Sequence, residues 1–391
     1  MRQFKSRLKH RPIVLLSFCD GIGSSRLAIE WLMGPPRLSL AWEIDEDCIK
    51  VTQQHFPEMI HRGCFLKDNY QQVATMIKQA APSNECQILL TAGTPCPDFS
   101  VVSGKSEGRN HPEGAKFKEF SDTVKLLKRE LPQHTFVVVA ENVVMNDPSD
   151  CQFITEELGI DPVVIDSADH SLVSRTRLWW ADVDWQSVKT HPLTGHKLVW
   201  SQHNGHRQVR LGLPAQEAKN IVMGDLCLHD DVLEGKRRIP CFTTPCPSTH
   251  GRPPPQRHKL RTSEEAKQRW LSDNRQFAPW QYADHAMAWR GNEAVVIPPD
   301  VKEQLHNYPR VHQSDRRPTQ GQTQDVGQFL APVSRSGHPL HCAADESGRR
   351  HRHSTEDPPV GHSTGSSDGD PCHGPTWPWQ LDNAEHTLPT V

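Results

Sequence analysis

At 391 residues the chain is long enough to bury a full core in one large domain or two smaller ones. Hydrophobic residues make up 35% and the formal net charge is -3, so no overall positive field marks a nucleic-acid binder, and such binding needs a local basic face. Mean hydropathy is -0.64, and no apolar run approaches the ~18–20 residues of a membrane helix. The basic stretch from Met1 to Arg11 precedes a strand-like run, not the apolar core of a signal peptide. The eleven cysteines are scattered, with no CxxC pair. Cys241 and Cys246 come closest to a zinc pair, but no histidine pair follows at finger spacing. No metal site is expected, and the cysteines read as reduced, partly buried thiols of a soluble intracellular protein.

Ile13-Val14-Leu15-Leu16-Ser17-Phe18 is a continuous apolar run, as a strand covered on both faces requires. Cys19-Asp20-Gly21-Ile22-Gly23 then turns the chain into a helical pattern with Leu27, Ala28, Trp31 and Leu32 on one predicted face. Leu38–Trp42 predicts a second strand ending at Glu43, and Asp45 an N-cap for a helix whose apolar face includes Ile49 and Val51. Ile88–Ala92 and Phe136–Ala140 predict further strands. Between them Phe117, Phe120, Val124, Leu127 and Leu131 mark one face of an amphipathic helix. Val163–Ile165 and Leu178–Trp180 read as the last strands. This alternation predicts an α/β fold, doubly wound around a mostly parallel sheet.

Beyond Asp184 no period holds for long. The expected domains are a catalytic core over 12–185, an irregular target-recognition region over 186–237, and a return to the core over 238–308. Residues 309–391, rich in His, Ser, Gly, Arg and Pro, are expected to stay disordered, because too few large aliphatics are present to offset the ordering entropy.

In open α/β sheets ligands sit outside the carboxyl ends of the strands. Asp20-Gly21-Ile22-Gly23 is at such an end, and Glu43, about twenty residues on, can accept ribose hydroxyls. A nicotinamide dehydrogenase is one reading, but Arg26 stands where G-x-G-x-x-G needs its third glycine, and Asp20 would repel a pyrophosphate. A nucleoside cofactor without phosphates, S-adenosylmethionine, fits better; the two glycines alone are also consistent with an ordinary tight turn. Cys96, between Pro95 and Pro97, is either a buried small hydrophobe or a thiol presented by a rigid loop at the ligand edge. Glu141, after five apolar residues, reaches the same edge, where burial would favour a proton donor. Asn142 is expected to fix the loop. Arg175 and Arg177 offer forked donors there, or are two solvent-facing charges.

The ensemble resembles the cytosine 5-methyltransferases. Phe18-Cys19-Asp20-Gly21-Ile22-Gly23 is similar to their first cofactor motif, Glu43-Ile44 to the ribose-binding motif, and Asp68 to the acid near the adenine. Pro95-Cys96 matches the nucleophile motif, Glu141-Asn142-Val143 the carboxylate motif and Arg175-Thr176-Arg177 the arginine motif. Gly291-Asn292-Glu293-Ala294-Val295 resembles the motif that closes the cofactor pocket, with Asn292 and Val295 as contacts. The wording Asp20-Gly21-Ile22, Cys96-x-Asp98-x-Ser100 and Glu141-Asn142-Val143-Val144 is nearest the de novo branch of animal DNA methyltransferases.

The resemblance implies a DNA cytosine 5-methyltransferase that uses S-adenosylmethionine. The target cytosine is extruded, Cys96 adds to its carbon 6, Glu141 donates to nitrogen 3, and Arg177 holds the carbonyl while Arg175 supports the loop. Pro97 stands where the family has Gln or Asn, Glu293 departs from the closing motif, and Cys241-Phe242-Thr243 is similar to a tripeptide of related transfer-RNA methyltransferases. RNA therefore stands as an alternative substrate, and a non-catalytic DNA-binding homologue as an alternative function. His203, His206, Arg207 and Arg210 are the expected backbone-facing basic patch. With the first motif near residue 13, no reader domain is expected ahead of it. Homo- or hetero-oligomers stay open, and placement is nuclear in a eukaryotic host and cytoplasmic otherwise, Lys236-Arg237-Arg238 being too short a signal to decide.

Overall fold

The computed structural model of the protein describes residues 11–82, 86–96, 99, 108–145, 147–169, 171–190, 197–210, 221, 223–242 and 263–308. Outside them lie Pro97, Asp98 and Ser100 of the nucleophile loop, Thr243, Cys246 and the tail 309–391. Parts of the expected recognition region, 191–196, 211–220 and residue 222, also lie outside.

The central feature is a nine-stranded sheet whose parallel half is built from the apolar runs. It contains β1 (Ile13–Phe18), β2 (Leu38–Trp42), β3 (Ile60–His61), β4 (Gln87–Gly93) and β5 (Thr135–Val143). β6 (Val163–Asp166), β8 (Thr176–Ala181), β9 (Val199–His203) and β10 (His206–Arg210) complete it, in the order β3-β2-β1-β4-β5-β8-β6-β10-β9. All six residues of β1 are buried, which is why the strand is apolar apart from one hydroxyl, Ser17. From β1 the chain builds outward to β2 and β3, then returns to the other side of β1 with β4. That reversal opens a crevice between the carboxyl ends of β1 and β4.

The far half of the sheet departs from the sequence expectation. β8 runs antiparallel to both β5 and β6, and the strands do not end there. β9 and β10 form a hairpin that joins the sheet through Gln208 beside Val164. Their buried face, with Val209 and Trp200 packed near Trp185 and Leu198, is too short for a clear period. A second sheet combines β11 (Cys227–Leu228), β13 (Ala288–Arg290) and β14 (Glu293–Val295). A two-residue parallel pair joins β7 (Val173–Ser174) to β12 (Ile239–Pro240).

Helices α1 (Ser24–Met33), α2 (Glu46–His55), α3 (Tyr70–Ala80), α4 (Pro112–Glu130) and α5 (Pro148–Leu158) connect the sheet strands. Phe117, Phe120, Val124 and Leu127 of α4, with Leu131 just beyond it, enter the main core, as their spacing predicts. Phe18 stacks on Trp42 at 4.3 Å between centroids, with Phe65 and Phe120 edge-on.

Two helix faces are corrected. In α1, Trp31 is 41% exposed and Leu32 36%, whereas Ile29 and Arg26 are buried. Arg26 turns inward because it is paired with Glu30 at 2.6 Å and with Glu58, and its guanidinium lies over the Phe56 ring. In α2 the buried residues are Cys48 and Thr52, while Ile49 and Val51 are half-buried. Asp45 does cap α2, accepting from the N–H groups of Asp47 and Cys48.

α1 starts at Gly23, whose φ of 82° lies in the left-handed region. A Cβ there would stand 2.9 Å from Thr52 Cγ2 and 3.1 Å from Phe56 Cε2. Gly23→Ala therefore combines backbone strain with a clash against α2 and is expected to destabilise the fold by about 2 kcal/mol, read as a lower urea midpoint with unchanged slope.

Candidate active site

Strand ends bring the expected residues to one edge. Gly93, at the end of β4, is in register with Glu141 of β5. A Cβ on Gly93 would lie 3.9 Å from Glu141 Oε2 and 3.7 Å from the carbonyl oxygen of Cys19, just after β1. The three strand ends thus converge, and a glycine at position 93 leaves the space between them open.

Cys96 follows at once. Its thiol is buried, and burial pushes it up to about 11; Arg177 and Arg175 oppose that shift, while Glu141 and Cys241 add to it. The four groups that act on the sulfur are the expected carboxylate, both expected arginines, and a second cysteine. Asn142 holds the approach to Cys96, as expected: its Nδ2 donates to Thr94 Oγ1 at 3.1 Å and to the Thr94 carbonyl at 3.3 Å, while its Oδ1 accepts from Val143 N. Beyond the thiol, Phe99 N donates to the Cys96 carbonyl and the Phe99 ring is sealed in the main core.

Glu141 is not the solitary desolvated carboxyl that its apolar neighbours suggest. Oε1 lies 2.9 Å from Arg177 Nε and 3.3 Å from Arg175 Nη2. Burial and the nearby Arg177 charge lower the Arg175 pKa from the usual guanidinium value. For Arg177 burial acts downward too, but Cys241, Glu141 and Cys96 overcome it and the net shift is upward.

Asp166, at the end of β6, fixes the arginine segment. It accepts from Arg175 N at 2.8 Å, Thr176 Oγ1 at 2.6 Å and Ser174 Oγ at 3.1 Å. The pairing of β7 with β12 then sets Cys241 beside the arginines, its sulfur 3.8 Å from Arg175 Nη1 and 3.7 Å from Arg177 Nη2. Sequence reasoning placed neither Asp166 nor Cys241 here, because two-residue strands leave no period to read.

The cofactor candidates collect around the β1–β4 crevice. Gly21 and Gly23 both have positive φ, as does Cys19. Glu43 accepts from the N–H groups of Gly21 at 2.8 Å, Ile44 at 2.7 Å and Asp45 at 2.9 Å, and burial drives its pKa upward against these bonds. Ile44 beside it is 48% exposed, an apolar face left bare. Burial raises Asp68, but Arg62, Trp42 Nε1 and Asn69 N overcome that and hold it below the usual carboxylate range. Phe18 has its ring in the core, so a contact with cofactor runs through its backbone. Pro95 and Ile22 are buried.

Asp20 supplies the test of fit for S-adenosylmethionine. It is 8% exposed, its Oδ1 accepts from Ser17 Oγ, and its Oδ2 is buried with no partner among the described residues. A buried carboxylate oxygen without a donor repels phosphate and suits an ammonium group, so the loop fits an aminated nucleoside cofactor. Asn292 and Val295 fall in the second sheet, Asn292 exposed in the β13–β14 turn and Val295 against the core of that sheet. The return to the cofactor loop is made further along, after α6 (Pro299–Leu305), where the Tyr308 hydroxyl meets Ser24 Oγ at 2.5 Å. That contact, between residues far apart in the chain, left no sequence signal.

The raised thiol pKa keeps Cys96 mostly protonated at neutral pH in the ligand-free protein. Its alkylation by iodoacetamide, followed by peptide mass spectrometry, is expected to accelerate about tenfold per pH unit until near pH 11. Glu141→Gln removes a charge that disfavours the thiolate and is expected to speed this alkylation at fixed pH.

Residues 13–147 match the family described as C-5 cytosine-specific DNA methylase. Among solved structures, the chain is similar to the Spodoptera frugiperda DNMT2 at 15% identity, over 82% of this chain and 96% of that one, with a TM-score of 0.45. It is similar to the Entamoeba histolytica methyltransferase EhMeth at 15% identity, over 82% and 98%, TM-score 0.47. A DNA modification methyltransferase encoded within an E. coli prophage matches at 18% identity, over 43% of this chain and 45% of that one, TM-score 0.31. Residues 13–147, which supply β1–β5, are thus similar to the C-5 cytosine-specific DNA methylase family, and the sheet with its helices has the α/β fold of the S-adenosylmethionine-dependent methyltransferases.

Proposed function

We infer that the protein methylates carbon 5 of cytosine in DNA through a covalent adduct on Cys96. The observation that carries this reading is the convergence of a buried thiol, a carboxylate and two guanidinium groups beside the glycine loop. Carbon 5 of cytosine is a poor nucleophile on its own, and covalent addition at carbon 6 is the way to activate it.

The chain's residues divide that work. Cys96 Sγ forms the bond to carbon 6 as its proton passes through water to Glu141. Glu141, pinned by Arg175 and Arg177, is placed to hydrogen-bond the base at nitrogen 3 and deliver a proton there. Arg177 offers its donors to the base carbonyl, and Arg175, tied by its backbone to Asp166, keeps the carboxylate in place. S-adenosylmethionine supplies the methyl group as an electrophilic sulfonium. Water then removes the carbon 5 proton, the Cys96 thiolate leaves and the nitrogen 3 proton returns to Glu141, restoring the aromatic ring. Extruding the base costs a few kcal/mol of stacking.

Several finer readings belong to this proposal. Likeness of wording supports a place near the de novo branch of animal DNA methyltransferases, which predicts activity on unmethylated duplex. In a eukaryotic host the protein would act in the nucleus. Residues 186–237 would meet the target: Arg207, exposed on β10, stacks over Trp200 at 4.4 Å, while Arg210 is already paired with Asp169 at 2.9 Å. Of the expected patch, Arg207 is therefore the better candidate for a phosphate or base contact.

Tritium transfer from labelled S-adenosylmethionine is expected to label unmethylated duplex DNA. Cys96→Ser is expected to reduce transfer by more than about 1,000-fold while cofactor binding by calorimetry persists. Label appearing in transfer RNA alone would move the substrate to RNA, and an active serine variant would overturn the covalent scheme.

A further inference from the structure

Asp20 does not stand alone at the end of β1. Ser17 and Thr91 are direct partners in the pairing of β1 with β4. Thr91 Oγ1 donates to Ser17 Oγ at 3.0 Å, and Ser17 Oγ donates to Asp20 Oδ1. Ser17 is 1% exposed, in a strand whose other members are all apolar. A hydroxyl there needs a reason, since burying one without a bond costs free energy and an alanine would fill the place. The chain of bonds engages one Asp20 oxygen from the sheet side and leaves the other, Oδ2, buried and without a partner among the described residues.

We propose that the Thr91–Ser17 pair is a positioning device that orients Asp20 so that its free oxygen receives the ammonium group at the methionine end of the cofactor. This rests on the methyltransferase reading above. The charged surroundings support it. Glu43 acts on Asp20 from the end of β2, and Tyr308 faces it from the C-terminal return. Burial pushes Asp20 up to about 7, opposed by the Ser17 hydrogen bond, with the Glu43 charge adding to the rise. A cation arriving between two acids is attracted by both, and the Ser17 bond helps to keep Asp20 in the ionised form that attracts it. Thr91 in turn orients the Ser17 hydroxyl, which could otherwise rotate away.

The two nucleosides that separate this role from a structural one are S-adenosylhomocysteine, which has the ammonium, and 5′-methylthioadenosine, which lacks it. Calorimetry on the full chain is expected to show S-adenosylhomocysteine binding weakened about tenfold by Ser17→Ala and severalfold by Thr91→Val, with 5′-methylthioadenosine binding unchanged. Thr91→Ser keeps the hydroxyl and is expected to bind both as the wild type does. Melting curves identify any variant that fails to fold, and the Thr91 pair then decides. Equal losses for both nucleosides, or none for either, would overturn the positioning role. A wild-type chain that binds neither nucleoside would instead overturn the methyltransferase reading itself.

Discussion

Two guanidinium groups share one buried carboxylate at the carboxyl edge of the sheet, and this unequal pairing organises the site. Arg175 and Arg177 both lie against Glu141 Oε1, and all three side chains are no more than 15% exposed. Among the described side chains of this cluster, guanidinium charges outnumber carboxylates by one, in a place where water is scarce. Isolated buried charge is costly, so the surplus must be met by something electron-rich. Two sulfur atoms serve in the resting protein: Cys241 takes a hydrogen bond from each arginine, and Cys96 feels both of them. A pyrimidine carbonyl entering the site offers the arginines a better acceptor than a thiol does.

Holding two like charges together requires scaffolding, and the fold provides it from several directions. Asp166 clamps the backbone of Arg175 and the hydroxyls on either side of it. The antiparallel β8 sets Arg177 opposite Val143 and Ile165, so its stem is fixed between two neighbours in the sheet. Asn142, one residue after the carboxylate, ties β5 to Thr94 and hence to the loop that carries the thiol. The carboxylate and the nucleophile are therefore positioned by adjacent residues of one strand. Antiparallel β8 is what makes this arrangement possible: a parallel strand there would deliver its side chains from the opposite end.

What the sequence made legible follows from burial. β1 and β2 are buried almost throughout, β4 for most of its length and β5 on alternate residues, so their sequences are dominated by apolar runs and the polar residues that end them stand out. α4 keeps a helical period because one face meets the core along its whole length. Reading failed where a charge is buried with partners. Arg26 looks like a surface residue, yet two glutamates and the Phe56 ring receive it, which turns Trp31 and Leu32 outward. It failed again where elements are too short to carry a period, as with β7 and β12, whose pairing alone explains Cys241. Tyr308 and Asp166 act through single contacts between distant parts of the chain, and no local pattern encodes those.

The two ligand sites differ in how they treat charge, and the difference follows from what each must attract. Around Cys96 the buried surplus is positive, suited to a base carbonyl and to negative charge developing on an attacked ring. Around Asp20 and Glu43 it is negative, suited to a cofactor that arrives with an ammonium and a sulfonium. β1 and β4 lie side by side, so the two regions are close, yet Gly93 and the Cys19 carbonyl at their boundary contribute no charge of their own. A cation on one side and an electron-rich ring on the other are drawn toward each other across that boundary. On the methyltransferase reading, a donor without its sulfonium charge would be held less strongly by these two acids.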